Sequence, residues 1–229
     1  IKKRHSTVVN SNSKFFCIYN GFDSEDFIKA RPLTEMGNDK FYIVYAGSLY
    51  PRRSAKFFLE ALKLIIQEKP ELRFIIKVLF AGNVYPQDAL LMDELIFHGV
   101  VENKGFLPHQ QVLSLLKSAH LLLFIEDQAP NSNRVLTGKL FEYMAAEKPI
   151  LALAGDGLVK DIILLLGIGK VVSSENIDEI KKCLISFVSE FQEKGSLYYF
   201  PRQEAIKQFE RREQVKFLSQ IMNDLLKDK

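Results

Sequence analysis

Short, nearly unbroken apolar runs alternate along this chain with stretches that are apolar on one face only. Residues 41–46, Phe-Tyr-Ile-Val-Tyr-Ala, offer no polar face, as a parallel strand covered on both sides requires. Residues 15–19, 73–80, 121–125, 149–153 and 170–172 read as further strands. Phe57, Phe58, Ala61, Leu62 and Ile65 recur at helical spacing, Pro86 opens a helix to about Phe97, and residues 108–118 turn Val112, Leu115 and Leu116 inward. A helix follows Gly138, another spans 158–166, and a long one from Asn176 to Glu193 has an asparagine cap. Residues 203–226 read as a charged helix with the apolar stripe Ile206, Phe209, Val215, Leu218, Ile221, Met222 and Leu225.

Strand and helix in alternation predict an α/β fold, a Rossmann-like doubly wound parallel sheet with a C-terminal helical extension. Residues 15–200 form the sheet domain, preceded by a linker or domain end at 1–14 and followed by the helical tail at 201–229. Ligands of such sheets gather at the carboxyl ends of the strands, near the point where strand order reverses. The loops after Ala46, Phe80, Lys104, Ile125 and Leu153 are therefore where function is sought.

At 229 residues, 47% of them hydrophobic, the chain can bury one substantial core. Its 31 Lys and Arg nearly balance 28 Asp and Glu and are dispersed, so nucleic acid is not an expected partner. No apolar run nears the roughly 20 residues of a membrane span, and no signal peptide is evident. Cys17 and Cys183 sit among apolar residues and read as buried reduced thiols, although sequence leaves a disulfide open. The histidines at 5, 98, 109 and 120 are too scattered for a metal site. These features fit a cytoplasmic, reducing compartment. The opening Ile1-Lys2-Lys3-Arg4-His5-Ser6 reads as a chain entered in mid-course, with an N-terminal half missing.

Candidate chemistry concentrates between Thr137 and Leu153. Thr137 is placed to cap a helix, and Gly138 lets another group approach the backbone. Lys139 sets a cation at a helix start, where the dipole and free N–H groups favour an anion. That misfit is what a phosphate would explain. Glu142 shares the helix face of Lys139, so a cation for phosphate and a carboxylate for sugar hydroxyls lie side by side. Composition alone would make them an ordinary surface pair worth a few tenths of a kcal/mol. Arg52 and Arg53 follow Gly47 into another helix start, and a guanidinium fork suits a diphosphate.

The run Gly138-Lys139-Leu140-Phe141-Glu142-Tyr143 with Lys148-Pro149-Ile150-Leu151 resembles the C-terminal half of the GT-B glycosyltransferases, in the large group 1, family 4-like branch of retaining, nucleotide-sugar-dependent enzymes. Asn20-Gly21-Phe22-Asp23, Gly47-Ser48-Leu49-Tyr50 with the arginines after it, and Gly105-Phe106-Leu107-Pro108 match the same family in the same order. The resemblance implies one half of a GT-B fold that binds a nucleotide-sugar donor through Gly47, Ser48, Arg52, Arg53, Gly138, Lys139, Leu140 and Glu142. It places Glu142 on the ribose, the helix start on the diphosphate, and Gly82, Phe106 and Leu107 near the nucleobase. No metal is expected, since cations and the helix dipole supply the positive charge. The acceptor, a glycan or lipid-linked molecule in polysaccharide or cell-surface glycan synthesis, would sit against the missing N-terminal domain. That domain would also hold part of the catalytic machinery. A full-length enzyme of this kind leaves room for peripheral association with the cytoplasmic face of a membrane.

Two departures from the family pattern stand out. Ser48 occupies the usual arginine position, with Arg53 matching a lysine and Arg52 available to supply charge. Arg134 stands where many relatives carry a first glutamate that positions the donor sugar. Glu126 and Asp127 are candidates to substitute for it, although loop acids are ordinarily just solvated. Gly155-Asp156-Gly157 reads as an ordinary turn within reach of the donor. Two other readings stay open, a nucleotide-sugar epimerase of GT-B type and a non-catalytic module binding a nucleotide-sugar or a protein.

Overall fold

The computed structural model describes residues 16–37 and 39–227. Six parallel strands form one sheet in the order β3-β2-β1-β4-β5-β6. They are β1 (Phe41–Ala46), β2 (Ile76–Ala81), β3 (Val101–Gly105), β4 (Leu121–Ile125), β5 (Ile150–Leu153) and β6 (Gly169–Val172). The chain builds outward from β1 to β3, returns to the centre, and builds outward again from β4, so the order reverses between β1 and β4.

The period-2 alternation of the strands divides the core into two layers. Phe41, Ile43 and Tyr45 of β1 face α2 (Lys56–Glu68), α3 (Pro86–Phe97) and α7 (Ile177–Lys194). Val44 and Ala46 face α4 (His109–Ser118), α5 (Gly138–Ala145) and α6 (Leu158–Leu166). β1 and β4 are buried along their whole length, which is why their sequences lack a polar face. The doubly wound sheet is thus the fold the apolar pattern predicts.

The differences lie at the ends. Phe15 falls outside the described residues, and residues 16–19 form no strand, because Phe16 and Ile18 are 41% and 40% exposed with no sheet edge to lie against. Residues 70–74, read in part as strand, form a 3-10 turn opened by Pro70, and pairing starts only at Ile76. The sequence pattern did not reveal the short helix α1 (Ser24–Lys29), capped by the Asp23 carboxylate accepting from Glu25 N–H. The tail is two helices, α8 (Gln203–Lys207) and α9 (Arg211–Lys227). The break arises where Phe209 turns into the core, against Tyr19 and Phe141, and Arg211 N–H donates to Phe22 C=O. Asn176 does cap α7, accepting from Glu179 N–H. Both cysteines are free thiols, but neither is fully buried: Cys183 is half-buried on α7, and Cys17 is exposed because the segment carrying it joins no sheet.

Candidate functional site

The carboxyl ends of the central strands are drawn together by Tyr143. This residue of α5 is fully buried, so its hydroxyl needs partners inside the protein. It accepts from Ala46 N–H of β1 at 2.9 Å and donates to Leu123 C=O of β4 at 3.1 Å. The β1–β4 register covers only Ile43↔Leu121 and Val44↔Leu122. Beyond that point the strands splay, and the tyrosine hydroxyl satisfies the backbone groups they leave. This bond seats the start of α5 in the crevice at the switch point.

Lys139 lies at that start. Its ammonium sits 4.0 Å from the centre of the Tyr45 ring, buried and without a hydrogen-bond partner among the described residues, although the residue as a whole keeps some exposed surface. Burial, helped by the charge of Arg53 and opposed by Glu142, holds its pKa down at about 7. Two glycines make room for it. Gly47 has φ +126, and a Cβ there would lie 2.6 Å from the lysine nitrogen. Gly82 has φ +134, and a Cβ there would lie 2.4 Å from Gly47 O. Thr137 precedes the helix in extended backbone but makes no side-chain cap, so the first turn of α5 is left uncapped by a side chain.

Arg52 and Arg53 lie in the turn before α2, closed by mutual backbone bonds between Tyr50 and Arg53, and not at the helix start itself. The start of α2 is closed from within, since buried Asp88 of α3 accepts from Ser54 Oγ at 2.5 Å and from Ala55 N–H at 3.1 Å. The arginines are instead gathered by Asp127, at 3.6 Å from Arg52 Nε and 3.9 Å from Arg53. Asp127 also accepts from Tyr50 O–H and Ala129 N–H. Burial raises its pKa, but these two bonds and the two arginines outweigh that and hold it below the usual carboxylate range. Arg53 stacks over Tyr50 at 5.0 Å, and its Nε is buried without a partner among the described residues.

Glu142, one turn along from Lys139, lines a cavity of about 170 Å³ with Asn20, Asp26, His109, Gly138 and Arg211. Burial raises its pKa, while the charges of His109, Lys139 and Arg211 pull it down. Lys139 and Glu142 thus feel one another's charge but serve different neighbours, the Tyr45 ring and this cavity. A larger cavity, about 320 Å³, lies between α1, the far end of α5 and α8, away from the strand ends.

The remaining sequence candidates are placed as follows. Gly47 lies against the Lys139 side chain and Gly82 against Gly47, Gly138 lines the Glu142 cavity, and Arg53 is held in its turn by Asp127. Ser48 is exposed, with its carbonyl accepting from Tyr45 O–H at 3.2 Å. Leu140 is fully buried in the core, and its N–H donates to Thr137 C=O, so it is not among the groups brought to the crevice. Phe106 stands 81% exposed beyond β3, while Leu107 packs against the core. Arg134 is exposed, on the 3-10 turn Ser132–Arg134. The loop acids are not simply solvated, because Glu126 is 6% exposed and Asp127 is ion-paired. Sequence reasoning assigned no role to Tyr45, Tyr143 or Asp88. A tyrosine directly after Glu142 on an otherwise apolar helix face was the one available signal.

A doubly wound parallel sheet with Lys139, Arg52 and Arg53 gathered at the carboxyl edge near its switch point is the class of protein defined by this fold and site. The profile of the group 1 glycosyl transferases matches residues 40–190, more than half of the chain, and the chain belongs to that family. Sequence comparison with curated proteins returns no match.

Solved GT-B glycosyltransferases share the fold. Anabaena HepE in complex with UDP superposes with a TM-score of 0.66 at 16% identity, over 90% of this chain and 57% of that one. HepE with UDP and glucose gives 0.56 at 19% identity, over 91% and 55%. WaaG, a glycosyltransferase involved in lipopolysaccharide biosynthesis, gives 0.59 at 18% identity, over 75% and 46%. The chain therefore spans about half the length of these proteins. Among the described residues no helix is long and apolar enough to cross a membrane, and no cluster of three or more His, Cys, Asp or Glu is placed to hold a metal.

Proposed function

We propose that this chain is the donor-binding part of a glycosyltransferase that moves a sugar from a nucleoside diphosphate to a glycan or lipid-linked acceptor. The observation that carries the reading is the buried, unpartnered ammonium of Lys139 at the uncapped start of α5. A buried cation without a hydrogen-bond partner is costly, and an incoming diphosphate removes that cost. Lys139 and Arg53, with Arg52 at the rim, stabilise the negative charge that grows on the leaving diphosphate. Glu142 accepts from ribose hydroxyls in its cavity, and the glycine-lined backbone beyond β2 and β3 borders the base. The fixed cations supply the charge that a divalent metal would otherwise bring. The likeness of fold to a protein holding UDP, and to a glycosyltransferase involved in lipopolysaccharide biosynthesis, supports a nucleotide-sugar donor and a role in cell-surface glycan synthesis.

Calorimetric titration with UDP, GDP and ADP tests this. One nucleotide is expected to bind saturably, and Lys139→Ala and Glu142→Ala should each weaken it tenfold or more, the loss of a charge-assisted contact. Binding that survives both substitutions would place the nucleotide elsewhere.

A further inference from the structure

Tyr45 belongs to the layer of the core that faces α2, α3 and α7, whereas Lys139 starts from α5 on the other face of the sheet. The lysine nonetheless ends on the tyrosine, its ammonium 4.0 Å from the ring centre. It reaches the ring across the carboxyl end of β1. Gly47, the first residue beyond that strand, turns a bare Cα to the side chain, and a Cβ there would lie 2.8 Å from Lys139 Cε and 2.6 Å from Nζ. The ring itself is fixed. Tyr45 is fully buried, its O–H donates to Ser48 C=O at 3.2 Å, and its ring centre lies 5.7 Å from that of Phe80.

The ammonium has N–H donors and no hydrogen-bond acceptor among the described residues, so the face of the Tyr45 ring is the electron-rich group that meets it. Arg53, whose charge also bears on this lysine, offers repulsion and no acceptor. Burial closes the ammonium to solvent, so a phosphate arriving from outside cannot touch it where it stands. The residue as a whole keeps some exposed surface, and its flexible stem can carry the charge outward by rotamer changes alone. The cation therefore has two positions that exclude each other, one on the ring and one on a ligand.

Resting on the donor reading above, we propose that Tyr45 is a positioning residue whose ring holds the Lys139 ammonium retracted while the site is empty, and that the lysine swings off the ring to meet the diphosphate. The ring and the nucleotide compete for one cation. The strength of the seat thus sets the affinity for the donor without any contact between Tyr45 and the ligand.

The first test is spectroscopic. With lysine labelled with carbon-13 at Cε, the Lys139 signal is identified by its loss in Lys139→Met. In the free chain the ring current of Tyr45 should displace that signal upfield. Saturation with whichever of UDP, GDP or ADP binds should return it to the position of the solvated lysines. The second test grades the seat while keeping its shape. Tyr45→Phe retains the ring and should leave nucleoside diphosphate affinity within about twofold. Phenylalanines bearing one, two or three ring fluorines in place of Tyr45 weaken the π face stepwise. At pH 6 Lys139, with its pKa at about 7, is mostly charged. Affinity there should rise along the series, to about threefold for the most fluorinated ring, because the competing retracted state loses population. A ring that only fills the core would give no such gradient.

A signal not displaced in the free chain, a displacement that persists in the complex, or an affinity that stays flat or falls along the series overturns the proposal and leaves the donor reading standing. Failure of the parent chain to bind any of the three nucleotides overturns the donor reading itself.

Discussion

Lys139 shows how a residue can be held in an unfavourable state until its ligand arrives. Its pKa, about 7 in the folded protein against the ordinary 10.5, means that unfolding takes up a proton across that interval. Where the unfolded chain binds more protons, stability rises with pH, so the ligand-free protein should gain stability from pH 7 to pH 10. Lys139→Met removes this slope and should raise stability at pH 7 by about 1–2 kcal/mol, read by denaturant unfolding at both pH values. Diphosphate binding has the opposite sign, since the charged lysine is the form that binds. Affinity should fall between pH 7.5 and 9, a range above the phosphate pKa of about 6, so the nucleotide's own charge is constant. Calorimetry in buffers of different ionisation enthalpy should register proton uptake on binding.

Asp127 acts on the neighbouring cations, since it holds both arginines and places a negative charge beside the crevice. Asp127→Asn keeps a side chain able to accept from Ala129 N–H but frees the guanidinium groups. Nucleoside diphosphate affinity should rise about fivefold, close to 1 kcal/mol, in the same titration, with weakened binding as the contrary result. At this scale the sequence was partly readable. Lys139 was conspicuous because a cation opposes the helix dipole there. Asp127 was not, because only the folded loop shows whether an acid is paired or solvated.

At the scale of elements, the start of α5 is placed by the splay between β1 and β4, and Tyr143 holds it there. Tyr143→Phe removes one hydroxyl but leaves Ala46 N–H and Leu123 C=O both unpaired in the core. The expected cost is about 2–3 kcal/mol in denaturant unfolding, and more than the loss of a single surface bond. Five of the six strands and most helices were legible from sequence because each is specified by its own local pattern of burial, as with the unbroken apolar run of β1, whereas β3, with a single buried residue among Val101–Gly105, was not read as a strand. The links between elements were not. Asp88 of α3 closes the start of α2, Phe209 breaks the tail by entering the core, and residues 16–19 miss the sheet. Each depends on a neighbour distant in sequence, which no periodicity reports. The arginine pair was read at a helix start for the same reason, since nothing in residues 50–56 announces that a carboxylate more than thirty positions away already occupies it.

At the scale of the whole molecule, the candidate donor site lies along one edge of the sheet, where Lys139 and the two arginines meet the uncapped first turn of α5. Catalysis of group transfer needs an acceptor held in line with the donor and a site closed to solvent. α9 carries Val215, Leu218, Met222 and Leu225, which are 61%, 43%, 57% and 58% exposed, an apolar stripe of the kind that marks a contact surface. The fold is shared with proteins of which this chain covers about half. We therefore expect these residues alone to bind nucleoside diphosphate, in the micromolar to millimolar range typical of an open site, and to transfer no sugar. The check is chromatographic analysis of products after incubating the purified chain with its preferred nucleotide-sugar and a panel of glycan and lipid-linked acceptors. Glycoside formed at turnover numbers near the roughly 1–1000 per second usual for enzymes would mean that these residues suffice for transfer, and the partition of donor and acceptor between two domains would have to be abandoned.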